Sequence, residues 1–291
     1  MSPDLIEISN DHLRVCVSAL GAETQSLQDA HGQEYLWQGD PAYWRGRAPV
    51  LFPIVGAAPG GQIAINGVTS PMPQHGFARR SLFRLEEHGD DFCCHTLTAS
   101  EATRAVYPFE FTLRLRHALE GATLRVSAEI TNHSADTMPF GFGFHPAFAW
   151  PLPGAQAQPH HIHLDNQATP ALARIDHEGL LQDARLASPF QAGTLTLDPR
   201  QFDQDAMIFP EGAGQALSYE GEGGARLRFA FENLPNLALW TKPGAPYLCI
   251  EPWHGMAARA GAGPEMAQRP STCMLTAGHS ARFAFSVAFD V

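Results

Sequence analysis

Basic residues are scarce in this chain. It has 19 Lys and Arg against 30 Asp and Glu over 291 residues, a formal net charge of −11. No block of Lys and Arg stands out, so the basic stripe that nucleic-acid binding calls for is missing. Long apolar runs are missing too, and nothing approaches the ~20 residues of a membrane span. The first ten residues carry Asp4 and Glu7 and no apolar core, unlike a secretory leader. Cysteine is limited to Cys16, Cys93, Cys94, Cys249 and Cys273, an odd set without metal-type spacing. These read as small apolar side chains in a reducing compartment, and a cytoplasmic location is expected. The adjacent Cys93 and Cys94 would point to opposite faces of a strand.

Helical periodicity is nearly absent as well, and period-2 alternation stands in its place. In Phe109 to Leu119 the apolar side chains fall on odd positions, with Glu110, Thr112, Arg114 and Arg116 between them. Leu124, Val126, Ala128 and Ile130 repeat the pattern after Glu120-Gly121, which reads as a hairpin connection. Leu13, Val15 and Val17 alternate near the start, and Phe283, Phe285, Val287 and Phe289 near the end. The 26 glycines and 23 prolines suit many turns. The expectation is an all-β fold of large antiparallel sheets packed face to face, with residues 1–291 forming one domain. Pro151 to Gln201 lacks clean alternation and reads as a long excursion, with a strand at Gly193 to Leu197.

Four segments break the alternation and mix polar groups with aromatics, a combination that is costly to bury without purpose. They are W-R-G-R-A-P-V-L-F-P-I-V-G from Trp44, P-Q-H-G-F-A-R from Pro73, F-G-F-G-F-H-P-A-F-A-W from Phe140 and C-I-E-P-W-H-G from Cys249. His145 sits between Phe144 and Pro146, and Gly141 and Gly143 permit close approach of another chain or a ligand. Taken alone, it is more often a hydrogen-bonded core histidine than an acid or base. Glu251 ends the apolar run from Tyr247. Its plain role is to pair with an arginine; in a desolvated pocket it becomes a base of raised pKa. His75 and Asp205, each taken alone, read as structural. H-H-I-H at His160 to His163 would put His161 and His163 on one strand face, where a metal could bind, but no third ligand is signalled nearby.

Together, in this order, the four segments resemble the aldose 1-epimerase (galactose mutarotase-like) family, in particular its bacterial branch close to glucose-6-phosphate 1-epimerase-like proteins. The resemblance runs over roughly residues 5 to 290. It implies a galactose mutarotase-like β-supersandwich that interconverts the α and β anomers of a hexose, with no metal and no organic cofactor. By motif match Glu251 resembles the general base and His145 the general acid. His75 resembles the second histidine of the site, and Asp205, with Asp203 as its competitor, the aspartate that binds sugar hydroxyls. Arg47, or its neighbour Arg45, resembles the substrate-binding arginine. Trp253 or Phe77 would cover the apolar face of the sugar.

Such chemistry needs one base at the anomeric hydroxyl and one acid at the ring oxygen, and a histidine with a carboxylate provides both near neutral pH. A hexose 6-phosphate substrate would call on arginines such as Arg79, since guanidinium binds phosphate oxygens in pairs. The net charge of −11 opposes recruitment of an anion, so a free sugar is expected. The competing readings are a glycosidase using Asp205 and Glu251, and a non-catalytic carbohydrate-binding sandwich. The expected partners are a small sugar, no nucleic acid and no membrane, with the chain a monomer or homodimer.

Overall fold

The computed structural model describes residues 5–290; residues 1–4, Asp4 among them, and residue 291 lie outside the described part of the expected domain. Alternating sequence becomes strand because every second side chain can leave water together. Phe111–Glu120 and Thr123–Asn132 pair antiparallel, with Glu120 opposite Thr123 and Gly121 turning the chain at φ 57°. Ser280–Phe289 pairs along the other edge of Thr123–Asn132. The odd positions of the first strand and the even positions of the second are buried, as are Phe283, Phe285 and Val287. The first of these strands begins at Phe111 rather than Phe109, although Phe109 stays buried.

These three strands are the middle of a nine-stranded antiparallel sheet. Its order is Thr194–Thr196, His160–Leu164, Ala216–Gly221, Arg226–Glu232, Ser280–Phe289, Thr123–Asn132, Phe111–Glu120, Phe92–Thr98 and Arg84–His88. A six-stranded sheet runs Met207–Phe209, Asn236–Trp240, Tyr247–His254, Phe142–Phe144 and Val50–Leu51, with Ala147–Ala149 also paired to Tyr247–His254. Phenylalanines join the two sheets. Phe142 lies 5.1 Å from Phe283 and Phe144 4.8 Å from Phe285, centroid to centroid. Such ring pairs contribute about 0.5–1.5 kcal/mol each beyond their buried area.

The region 151–201 is largely irregular, as expected, with its strand at Thr194–Thr196. It also holds a strand that its mixed sequence did not announce, His160–Leu164. His161 and His163 do share its outer face, but their ring nitrogens meet Glu222 at 3.2 Å and Glu220 at 2.9 Å. Threonines of the edge strand take the other nitrogens, Thr196 at 3.1 Å and Thr194 at 3.0 Å. Cys93 and Cys94 face opposite ways, Cys93 into the core beside His117 and Cys94 towards Glu86. All five cysteines are free thiols, and among the described residues no helix is long and apolar enough to cross a membrane.

The large sheet also buries polar side chains, His95 and His117 among them. These two lie on adjacent strands, and His117 is held neutral by burial, its pKa lowered to about 3. The unfolded chain takes up a proton there near pH 6.5, whereas the native fold does so only near 3. Stability is therefore present above pH 6.5 and is lost as pH falls between these values, at about 1.4 kcal/mol per pH unit for one such group. Urea titrations at pH 7 and pH 4.5 should show His117→Leu losing less stability on acidification than the unmodified protein, by about 2–3 kcal/mol. An unchanged pH dependence in the variant would contradict this.

Candidate active site

The four polar-aromatic segments are sewn together by their backbones at one face of the six-stranded sheet. The Phe77 and Ala78 amides both donate to the Phe52 carbonyl, at 3.0 and 3.1 Å. The His75 amide donates to Gly56 O, and the Gly56 amide returns a bond to His75 Nδ1 at 3.1 Å. The Gly141 amide reaches Pro53 O, the His145 amide Pro49 O and the Ile250 amide Pro146 O. Buried Arg269 closes the set by donating through one nitrogen to the carbonyls of Val55, Ala57 and Met256. Gly76 is required at its place. At φ 74° it presses on Phe52, and a Cβ there would stand 2.1 Å from the Phe52 carbonyl oxygen.

The strand Tyr247–His254 sorts its side chains by parity. Leu248 and Ile250 enter the main core, while Tyr247, Cys249, Glu251 and Trp253 face the other way. Glu251 stands opposite Ala238, whose methyl leaves the carboxyl room. His145, at the end of Phe142–Phe144, brings its Nε2 to 3.2 Å from Glu251 Oε2. The exposures of the two side chains are 8% and 2%. Burial dominates both titrations in opposite senses. It pushes the Glu251 carboxyl well above its ordinary range, with the nearby Asp205 charge adding to the rise. It lowers the His145 imidazole to about 3, and Arg79 adds to that fall. A readily protonated His145, expected from its reference pKa and a carboxylate neighbour, is thus not what the free cavity favours. Desolvation outweighs the carboxylate, because that carboxyl is itself pushed towards its neutral form.

Both side chains line a cavity of about 360 Å³, within the range of small-molecule sites. Trp44 stacks on His145 at 4.9 Å and 31°, and Trp240 meets the same ring edge-on at 5.9 Å. Trp253 completes the aromatic lining. His75 stands 5.6 Å from His145 and is pushed well below the usual histidine range, chiefly by burial. Since its Nδ1 accepts from Gly56 and burial keeps the ring neutral, the ring proton resides on Nε2, and the Gln74 side-chain amide 3.3 Å away can accept it only by turning its oxygen towards the ring. Arg79 donates to Gln74 O at 2.9 Å. The buried atoms Arg79 Nε, His145 Nδ1, Glu251 Oε2 and Trp253 Nε1 have no hydrogen-bond partner among the described residues, so polar capacity converges on one small space.

Asp205 lines the cavity as well. It is held at φ 63° and accepts from the Ala206 amide at 2.7 Å. Arg174, which no local sequence pattern marks, anchors this loop. Its guanidinium donates to the carbonyls of Gln201 and Asp205, both at 2.7 Å, and Ala206 at 3.1 Å. Asp203 lines an adjoining polar groove rather than the cavity. Arg47 and Arg45 are not on the cavity wall either. The Arg47 guanidinium is spent on Gln25 and on the Gln38 carbonyl, and Arg45 is exposed. Phe77 packs in the main core near Phe52, Phe111 and Tyr107. Trp44 and Trp240 were not singled out from sequence; Trp44, inside the first segment, was the findable one.

Fold and cavity together define a galactose mutarotase-like β-sandwich. A solved galactose mutarotase related enzyme from Lactobacillus acidophilus superposes with a TM-score of 0.93, at 29% identity over 99% of this chain and 97% of its own. A galactose mutarotase-like protein from Lactobacillus casei gives 0.92, at 27% identity over 98% of this chain and 100% of its own. The chromosomal protein LacX of Lactococcus lactis subsp. lactis is 30% identical over 276 residues, 91% of this chain and 92% of LacX. The family model described as aldose 1-epimerase matches residues 4–284, and the chain belongs to that family. It is accordingly a sugar epimerase in kind, an isomerase.

Gly143 ties the fold to this site. It pairs with Trp253 in register, and a Cβ on it would stand 2.4 Å from Trp253 Cδ1. Gly143→Ala should displace the indole, destabilise the protein by about 1–3 kcal/mol as overpacking does, and change the tryptophan fluorescence. A variant with unaltered emission and thermal midpoint would show that the contact does not fix Trp253.

Proposed function

We propose that this protein is an aldose 1-epimerase in the strict sense, acting on the anomeric carbon of an unphosphorylated aldose in the cytoplasm, with Glu251 and His145 as its acid–base pair. The observation that carries this reading is the 3.2 Å approach of His145 Nε2 to Glu251 Oε2 inside a cavity built for a small polar ligand. Ring opening removes a proton from the anomeric hydroxyl and delivers one to the ring oxygen. The C1–C2 bond then rotates, and closure reverses both transfers. The pair needs one proton between its members for this cycle. Carboxylic acid with imidazole, and carboxylate with imidazolium, each carry that one proton, and the two groups stand 3.2 Å apart with no hydrogen bond between them in the free cavity. In the second, Glu251 takes the proton from O1 and His145 supplies the one to O5. His75 Nε2–H, Arg79 and Asp205 hold hydroxyls and developing charge, and the tryptophans cover the apolar faces of the ring.

The free-sugar reading rests on the charges around the cavity. A phosphate dianion calls for several cations, and Arg79 is the one arginine among the described residues that line the cavity, whose wall also carries the carboxyl groups of Glu251 and Asp205. The unpartnered Arg79 Nε is what favours a hexose 6-phosphate as the second reading. Polarimetry on freshly dissolved glucose, galactose and glucose 6-phosphate decides between them. Catalysed exchange of a free sugar is expected. Exchange confined to the phosphate, and lost with Arg79→Ala, would reverse the assignment. Exchange at the spontaneous rate throughout would leave only a binding protein.

Glu251→Gln and His145→Asn should each lower catalysed exchange by about 10²–10⁴ with the fold intact. Near-normal exchange in either variant would remove that residue from the mechanism. The pH profile offers an independent check. With His145 held to about 3 by burial, its imidazole does not titrate across the ordinary histidine range in the free enzyme. The plot of kcat/KM against pH should therefore show no inflection from His145 at about 6.5, the pKa of a free histidine. An inflection there, absent in His145→Asn, would show that His145 titrates as an ordinary histidine.

A further inference from the structure

Directly beside the acid–base pair lies a third group that the proposed mechanism leaves idle. Cys249 is two residues before Glu251 on the same strand face and is completely buried. One ring nitrogen of His145, the Cys249 sulfur and one carboxyl oxygen of Glu251 all lie within 4.8 Å of one another. Glu251 Oε2 has no hydrogen-bond partner and would not be pulled from a competing bond, and the His145 nitrogen beside it, at 3.2 Å, is Nε2. From these observations we infer that His145, Cys249 and Glu251 form a binding site for a thiophilic divalent cation of the Zn²⁺ class, and that occupancy of the site switches the enzyme off.

The donor set matches that class of ion. Zinc takes sulfur, imidazole and carboxylate ligands in a tetrahedron, with bonds of about 2.0–2.3 Å. Those lengths place ligand atoms about 3.3–3.8 Å apart. His145 Nε2 and Glu251 Oε2 already stand at 3.2 Å, and a small movement of the cysteine side chain brings its sulfur into range. Because His145 and Glu251 line the cavity, the fourth position faces its interior, open to water or a sugar hydroxyl. Hard cations such as Mg²⁺ have no use for the sulfur and prefer six oxygen ligands, so they are excluded. Binding displaces the thiol proton to solvent, and the metal then occupies the lone pairs that the proton cycle needs. Inhibition, as distinct from binding, rests on the mutarotase reading given above.

The test uses protein freed of metal by chelator and then titrated with Co²⁺ and with Zn²⁺. One equivalent of Co²⁺ should bind with a thiolate-to-cobalt charge-transfer band, a signal that needs no activity. Zn²⁺ should compete for that site, and catalysed exchange should fall at least about tenfold and return with chelator. Mg²⁺ should have no effect. Cys249→Ala and Cys249→Ser should keep exchange and native near-ultraviolet circular dichroism, lose the band, and bind Zn²⁺ at least about tenfold more weakly. Absence of the band overturns the site, including the case in which zinc is held by His161 and His163. Equal zinc affinity in both cysteine variants, or exchange raised by zinc, overturns it as well. If the metal-free protein shows no catalysed exchange while the band is present, the mutarotase reading and the inhibition fail and the metal site stands.

Discussion

A carboxyl and an imidazole held at 3.2 Å, both almost wholly removed from water, set the conditions the rest of the structure has to meet. Isolated charges are expensive in such a place, and a buried group escapes the cost by shifting its pKa and becoming neutral. The opposite shifts of Glu251 and His145 are that response. A pair that shares one proton stays near zero net charge whichever partner holds it. It can therefore be kept dry without losing its capacity to exchange protons. Dry surroundings in turn strengthen every remaining electrostatic contact in the cavity.

Keeping the pair at that distance is the task of the six-stranded sheet. Strand parity sends Glu251 away from the core that its neighbours Leu248 and Ile250 fill. Phe142 and Phe144 anchor the neighbouring strand in the space between the sheets, which places His145 at the strand end beside the cavity. Gly143, between those rings, gives up its side chain so that Trp253 can lie across it. The arginines Arg269 and Arg174 act at the margin. Each binds several backbone carbonyls, so loops without strand pairing gain defined positions.

This division of labour explains what could be read from the residues alone. The central strands were legible because one face meets a core and the other meets solvent, which imposes strict alternation. Glu251, His145 and His75 were legible as exceptions to that rule, polar groups set in apolar or glycine-rich surroundings. Trp240 was not, because an aromatic at the end of an apolar strand looks the same whether it faces a core or a cavity. Arg47 misled for the converse reason. It stands beside a site segment, yet its guanidinium turns to the Gln25 and Gln38 carbonyls, and no local pattern records that choice. His160–Leu164 was obscured by histidines whose partners, Glu220 and Glu222, lie far along the chain.

The same physics bears on which ligands this cavity accepts. A buried polar atom without a partner is a standing cost, and a ligand that supplies the partner recovers it. Arg79 Nε and Trp253 Nε1 are donors, while Glu251 Oε2 and, in the neutral ring, one nitrogen of His145 can accept. A hydroxyl both donates and accepts, so a ring bearing several hydroxyls can satisfy both kinds of group. A purely anionic ligand satisfies the donors alone and places further charge against Glu251 and Asp205. Discrimination then falls chiefly on groups that would stay unpaired with the wrong ligand, which is where buried hydrogen bonding discriminates most.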